Sequence, residues 1–321
     1  MALEVRRPGL LTTVQDMGRY GYQKYGVPVA GAMDPFALQA ANALVGNPLG
    51  AAALEITLVG PTLRAQEACT IAVAGGDLTP LLDGQPVPMW KAVAVPKGGA
   101  ITFGGRRSGF RAYLAVAGGL AVPLVLGSRS TFLRGGFGGL EGRALKAGDR
   151  LPVGPTRAPV DGGRAMPVGD RPPYGDDVTV RVVLGPQDSY FTHEGLDRFL
   201  GSVYMVSPAS DRMGYRLQGP EVTHRERTQI ISDGLPLGAV QVPPDRQPIV
   251  MMADHQTTGG YPKIGTVIAA DIPLLAQCMP GLSQVCFAAV TLAEAQAAYR
   301  AMAAAMANCS EPDDDILWGP C

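Results

Sequence analysis

A chain of 321 residues, 46% of them apolar and 17% charged, is long enough to bury a sizeable core and to divide into two domains or subdomains. A formal net charge of -1 leaves no basic excess for a phosphate backbone, which argues against nucleic acid as a partner. No apolar run approaches the roughly 18 residues of a membrane-spanning helix, and MALEVRRPG lacks a signal peptide's apolar stretch; the expectation is a soluble, cytoplasmic protein with no membrane partner.

In chain order, the first dense polar stretch is TTVQDMGRYGYQKYGVPVAGAMDP, residues 12–35, which sets Gln15, Asp16, Arg19, Lys24 and Asp34 among glycines and tyrosines. Its end starts a helix. Asp34 reads as N-cap, Pro35 occupies the first helical position and Gly46 follows the last turn. Short runs separated by turn residues come next, TLRAQ, CTIAVAGG, VPMWKAVAVPKG, AITFGG and FRAYLAVAGG, with Asp83 and Gly84 as a hairpin turn. The Gly-rich run GSRSTFLRGGFGGLEGR, residues 127–143, lacks the G-x-G-x-x-G of a dinucleotide site. It reads equally as a mobile loop over a cleft, where Arg129 and Arg134 can meet an anion.

In residues 154–177 proline, glycine and charge displace the apolar pattern, which marks a linker between an N-terminal subdomain, 1–160, and a C-terminal one, 175–308. Strand-like runs then resume with DVTVRVVLG, SVYMVS, YRLQGP, QIISDG, GAVQVP, PIVMMAD and TVIAA, so the class is mainly β with a few helices. DIPLLAQC repeats the Asp-cap device with Asp271, and Thr291 with Glu294 forms a capping box ahead of an alanine-rich helix. The acidic tail 309–321 is unpatterned and is expected to be unstructured. Five cysteines, odd in number and without a CxxC, read as reduced packing thiols.

Two stretches of the second half concentrate chemistry. SPASDRMGYRLQGP, residues 207–220, carries Asp211, Arg212, Tyr215 and Arg216; Arg216 has a planar fork that suits a carboxylate or phosphate. A surface loop with an internal Asp–Arg pair is the simpler reading. ADHQTTGGYPKIG, residues 253–265, follows a buried-type strand and offers His255 as acid or base, Asp254 as carboxylate and Lys263 as cation. Gly259 and Gly260, at positive φ, would present a nest of backbone N–H groups to an anion. Pro262 requires an edge or a bulge there. There is no GxxxxGK[ST] and no second histidine at metal spacing, so neither a P-loop nor a metal site is read. From spacing alone an active-site loop and an ordinary hairpin remain equal alternatives.

Taken together, TVQDMGRYGYQKYGVPVAGAMD, RAYLAVAGGL with GSRST, SDRMGYRLQGP and GAVQVPPDRQPIVMMADHQTTGGYPKIGTVIAADIPLLAQ resemble the allophanate-hydrolase-subunit-2 family over about residues 3–290. Members of that family include the C subunit of bacterial ATP-dependent 5-oxoprolinase and half of the carboxyltransferase domain of urea carboxylase. The resemblance implies two cyclophilin-like β-barrel subdomains and an active site shared with a subunit-1-type chain, the oxoprolinase B subunit. The B and C chains would use ATP, with Mg²⁺, to activate the lactam of 5-oxoproline, which the A chain helps to open to L-glutamate. By motif, the implied site residues are Asp254, His255, Lys263 and Arg216 for catalysis. Asp211, Arg212, Gln241, Thr258, Gly259, Gly260 and Tyr261 would bind substrate. Two alternatives stay open: a carboxyltransferase component of a biotin-dependent urea or amide carboxylase, and a non-enzymatic antagonist of a histidine-kinase inhibitor.

Overall fold

In Ala2–Arg7 the apolar Leu3 and Val5 are buried and alternate with partly exposed neighbours, the period-2 pattern of a strand with one face on a core. The computed structural model describes residues 2–156 and 163–309; residues 157–162 of the expected linker and 310–321 of the expected tail lie outside these. The described chain is mainly β, and it separates into two compact units. One consists of the N-terminal segment to Tyr20, Ala30–Pro172 and the chain from Ala303; the other consists of Gly21–Val29 and Pro173–Met302.

In the first unit Ala2–Arg7 lies in a six-stranded sheet with Arg150–Pro152, Thr62–Ala65, Ala100–Phe103, Pro80–Leu82 and Gln85–Pro86. A five-stranded sheet runs Leu11–Gln15, Ala53–Thr57, Ser108–Val116, Cys69–Asp77 and Ala92–Val95. Leu3, Val5, Leu54, Ile56, Val73 and Leu114 belong to the core of this unit, all fully buried. The Asp83–Gly84 hairpin forms as expected: both residues take positive φ, 49° and 81°, and Leu82 pairs with Gln85. That geometry matches the right-handed strand twist.

The helix Pro35–Leu44 also forms as read, with Asp34 Oδ1 accepting from the Ala37 N–H at 2.9 Å and Gly46 at φ 70° after it. It is buried almost all round and packs on the Cys69–Asp77 and Ser108–Val116 strands, which accounts for its lack of a polar face. Asp34→Ala is expected to cost about 1–2 kcal/mol, measured as a lower urea midpoint at unchanged m-value.

The second unit is a closed barrel of seven strands, Asp177–Leu184, Lys263–Val267, Ala239–Gln241, Ile249–Met251, Gly214–Gln218, Tyr204–Val206 and Gln284–Ala289. Closure leaves no sheet edge to aggregate. The last strand meets the first in parallel, and every other junction is antiparallel. The capping box at Thr291 is present: its N–H donates to Glu294 Oε2 at 2.8 Å, and the Glu294 N–H donates to Thr291 Oγ1 at 3.3 Å.

Two expectations fail locally, and one helix goes unread in the sequence. QIISDG does not form a full strand; only Asp233–Gly234 pairs, with Thr258–Gly259. Asp271 is not a side-chain cap for Ile272–Ala276, because its carboxylate accepts instead from the backbone N–H and guanidinium of Arg181, at 2.6 to 3.0 Å. A further helix, His193–Gly201, is capped by Thr192 and buries Phe199 against Phe287, ring centroids 4.4 Å apart. Gly195 and Gly201 mask it in the sequence, although Gly195 has a steric reason to be there: a Cβ would come within 2.5 Å of Thr223 O.

Candidate functional site

The SDRMG stretch turns on its own aspartate. Asp211 Oδ1 accepts from the N–H groups of Met213 and Gly214, at 2.8 and 3.3 Å, and so directs the chain into the Gly214–Gln218 strand. Arg212 is thereby turned inward, where its Nε and Nη2 each donate to Asp254 at 3.0 Å in a two-pronged pair, both side chains being buried. The Asp254 N–H also donates to Arg212 O at 2.8 Å, so backbone and side chain join the two motifs. The internal Asp–Arg pair expected on the surface within 207–220 is thus replaced by a buried pair between that loop and the 253–265 stretch.

Asp254 and His255 both follow the end of the Ile249–Met251 strand, in a turn closed by His255 N–H to Met252 O at 3.0 Å. This turn releases them from strict alternation between sheet faces. His255 is 7% exposed, and its Nδ1 donates to Gln256 O at 2.7 Å, which leaves Nε2 as the acceptor of the neutral ring. Burial pushes the imidazole below its ordinary pKa of 6.5, opposed by the Gln256 hydrogen bond and the Asp254 charge.

Lys263 is 2% exposed and is not the open cation the sequence suggests. Its Nζ donates to Asp233 Oδ2 at 2.6 Å and to Gly234 O at 3.2 Å, while its N–H donates to Gln187 Oε1 at 3.1 Å. The Lys263 ammonium holds the half-exposed Asp233 carboxyl below the usual range, aided by the Gly234 N–H. Sequence reasoning misses Asp233 and Gln187. The only signal is the SDG triplet, which reads as the end of a strand.

Gly259 and Gly260 do not form the expected nest, since neither takes positive φ. Gly259 lies in the short pair with Asp233, and its lack of a side chain serves close packing: a Cβ would stand 2.5 Å from Gln241 Nε2 and 2.8 Å from Leu235 Cδ1. Gln241 is buried and donates to Tyr261 O at 3.2 Å. Thr258 and Tyr261 are exposed beside it. Pro262 stands next to a register shift in the pairing of Ala239–Gln241 with Lys263–Val267, the bulge its missing N–H calls for. Arg216 is separate from Arg212. It points outward from its strand, between the buried Tyr215 and Leu217, and forms no ion pair with the described residues.

The N-terminal constellation is structural where the structure describes it. Asp16 accepts from Gly18 N–H at 2.8 Å, Ser128 Oγ at 2.6 Å, and Arg129 N–H and Ser130 Oγ at 2.5 Å each, so the GSRST segment is pinned and not a free lid. Gln15 donates to Thr131 O at 3.2 Å; Arg19 donates to Ser130 O and lies over the Phe137 ring at 4.9 Å. Lys24 is exposed over Tyr25, and Arg134 is exposed. The four described cysteines are free thiols, Cys69 being pushed up to about 11 by burial. No described helix is long and apolar enough to cross a membrane.

Chemically, the second unit sets a neutral imidazole and a buried carboxylate–guanidinium pair at the paired strands Gly214–Gln218 and Ile249–Met251, and a lysine–aspartate pair at Lys263–Val267, which Ala239–Gln241 separates from them. The family described as carboxyltransferase domain, subdomain A and B, matches residues 25–289. The chain is 42% identical over 278 residues to the 5-oxoprolinase C subunit of Escherichia coli (strain K12), covering 86% of this chain and 87% of that one. Its identity to the 5-oxoprolinase C subunit of Haemophilus influenzae is 38% over 283 residues, 88% of this chain and 89% of the other. The crystal structure of Kluyveromyces lactis urea amidolyase superposes with a TM-score of 0.90 at 32% identity over 97% of this chain, which spans 20% of that longer protein. Motif, fold and extent agree, and the chain belongs to the carboxyltransferase-domain family of subdomains A and B.

Proposed function

We propose that this chain is the C subunit of a cytoplasmic ATP-dependent 5-oxoprolinase, acting with a B-type partner chain to activate the 5-oxoproline lactam for hydrolysis to L-glutamate together with an A-type chain. The observation that carries this reading is the match to the E. coli C subunit across 87% of that protein's length, against a fifth of the urea amidolyase. Lactam opening needs a proton acceptor for the attacking water and positive charge near developing oxyanions. His255, neutral at pH 7 with Nε2 unprotonated, supplies the first. Arg216, exposed and unpaired with any described carboxylate, is suited to the second; Lys263 is engaged by Asp233 and acts as a positioning residue for the loop. Asp254 holds Arg212 and orients the turn that carries His255. Asp211 shapes a turn, and Gln241 with Gly259 and Tyr261 shapes the wall beside the loop. Among the described residues no group of three or more His, Cys, Asp or Glu is arranged to hold a metal.

The urea amidolyase superposition favours a second reading, a carboxyltransferase that takes its carboxyl group from carboxybiotin. One experiment separates them. The purified chain is mixed with its B and A partners, and ATP-dependent L-glutamate formation from 5-oxoproline is measured beside carboxyl transfer to urea from a biotinylated carrier. Glutamate formation that requires all three chains is the expected result. Carboxyl transfer without glutamate would establish the second reading, and neither reaction despite stable association with the B partner would point to a regulatory antagonist.

A further inference from the structure

The Gly-rich GSRST segment is left over from the site above, and it borders a cavity of about 400 Å³ within the first unit. That volume lies in the range of small-molecule sites, roughly 300–1,000 Å³. The walls are turns of small residues, with Asn47, Gly118, Ala121 and Gly154 among them, and Arg129 is the one charged side chain among the described lining residues. Close approach of two backbone segments shapes one wall: a Cβ on Gly118 would stand 2.2 Å from Gly154 O.

Arg129 is fixed at three points. Its N–H donates to Asp16 Oδ2 at 2.5 Å, its carbonyl accepts from Gly139 N–H at 3.0 Å, and its Nε donates to Val122 O at 2.8 Å. The guanidinium pairs with no described carboxylate, so both Nη nitrogens stay uncommitted. The other polar side chain in the wall is occupied: Asn47 donates to Asn42 Oδ1 and Val116 O, both at 2.9 Å, and accepts from Gly118 N–H at 2.8 Å. A planar fork on the one charged residue that lines the cavity suits a ligand with a single planar or tetrahedral oxyanion. We infer that the cavity beside Arg129 is a binding site for a small oxyanion, a carboxylate or phosphate group held by the two Nη nitrogens.

All the described lining residues belong to the first unit. The site is tested on the full chain by ³¹P line broadening with inorganic phosphate and, separately, by saturation-transfer NMR with acetate, each against sodium chloride at equal ionic strength. Saturable binding of either anion is expected, weakened at least ten-fold by Arg129→Gln, which removes the fork, and by Ala121→Phe, which fills the cavity from an exposed position. Phosphate alone binding assigns a phosphate group and acetate alone a carboxylate. Should Arg129→Gln fail to fold, Ala121→Phe decides. Absence of saturation by both anions, equal competition by chloride, or wild-type binding by a folded Ala121→Phe variant would overturn the proposal.

Discussion

Asp254→Ala is expected to lower the free energy of unfolding by about 3–5 kcal/mol, the scale for removing one partner of a buried ion pair. The Arg212 guanidinium stays behind in the second unit, its Nε and Nη2 having lost the two acceptors that stood 3.0 Å away. Arginine cannot shed its charge as a lysine can, so the cost cannot be relieved by neutralisation. The same change loosens the turn at residues 252–255, because the Asp254 N–H to Arg212 O bond depends on both segments staying in place. Urea unfolding of the single variant, of Arg212→Met and of the double variant Arg212→Met/Asp254→Leu completes the measurement. Two apolar side chains of similar bulk remove both charges together, so the double variant is expected to be more stable than Asp254→Ala alone. A single variant within about 0.5 kcal/mol of wild type, the ordinary spread of surface substitutions, would show that the pair is not structural.

Sequence reading succeeds where one local rule decides the outcome. Asp34 ahead of Pro35, Thr291 three residues before Glu294, and Asp83 beside Gly84 each carry their own hydrogen-bond partners or dihedral demands, and each forms as read. It fails where a distant strand supplies a better partner. Asp271 has the cap spacing, but Arg181, ninety positions away in the sequence, offers it three donors, and a charge-assisted pair outcompetes a backbone N–H. Lys263 and Arg212 fail for the same reason. Lys263 has no counterion visible in the sequence and Arg212 has only its neighbours within 207–220, whereas the fold brings Asp233 to one and Asp254 to the other. Gly259 and Gly260 suggest a nest because glycine permits positive φ; the barrel uses the absence of a Cβ at Gly259 instead, to seat Gln241. Asp16 and the GSRST segment read as unrelated because 112 positions separate Asp16 from Ser128, yet one carboxylate binds them together. The motifs are therefore legible as motifs, while the pairing of charges between them is not, since pairing is a property of strand order.

His255→Ala in the complex assembled with the B and A partners is expected to lower turnover by about 10²-fold, within the usual range for removing a general base, without weakening association with the B partner. The ring is held by its Nδ1–H to Gln256 O, so removing it deletes the acceptor and leaves the buried Arg212–Asp254 pair in place. The pH profile separates this role from mere packing. Burial favours the neutral ring, so the folded protein takes up the His255 proton at lower pH than the unfolded chain, whose ring titrates near 6.5. Between those two values the unfolded state binds more protons. The His255 contribution to stability is therefore full above about 6.5 and declines as pH falls toward the depressed folded value. Turnover follows the folded ring and should fall along an acid limb whose midpoint lies below 6.5. His255→Asn, which keeps a polar side chain but has no titrating nitrogen, is expected to lack that limb and to remain slow at every pH. An acid limb that survives in His255→Asn, or a wild-type midpoint above 6.5, would assign the proton transfer to another group, and wild-type turnover in both variants would leave the loop with a structural role alone.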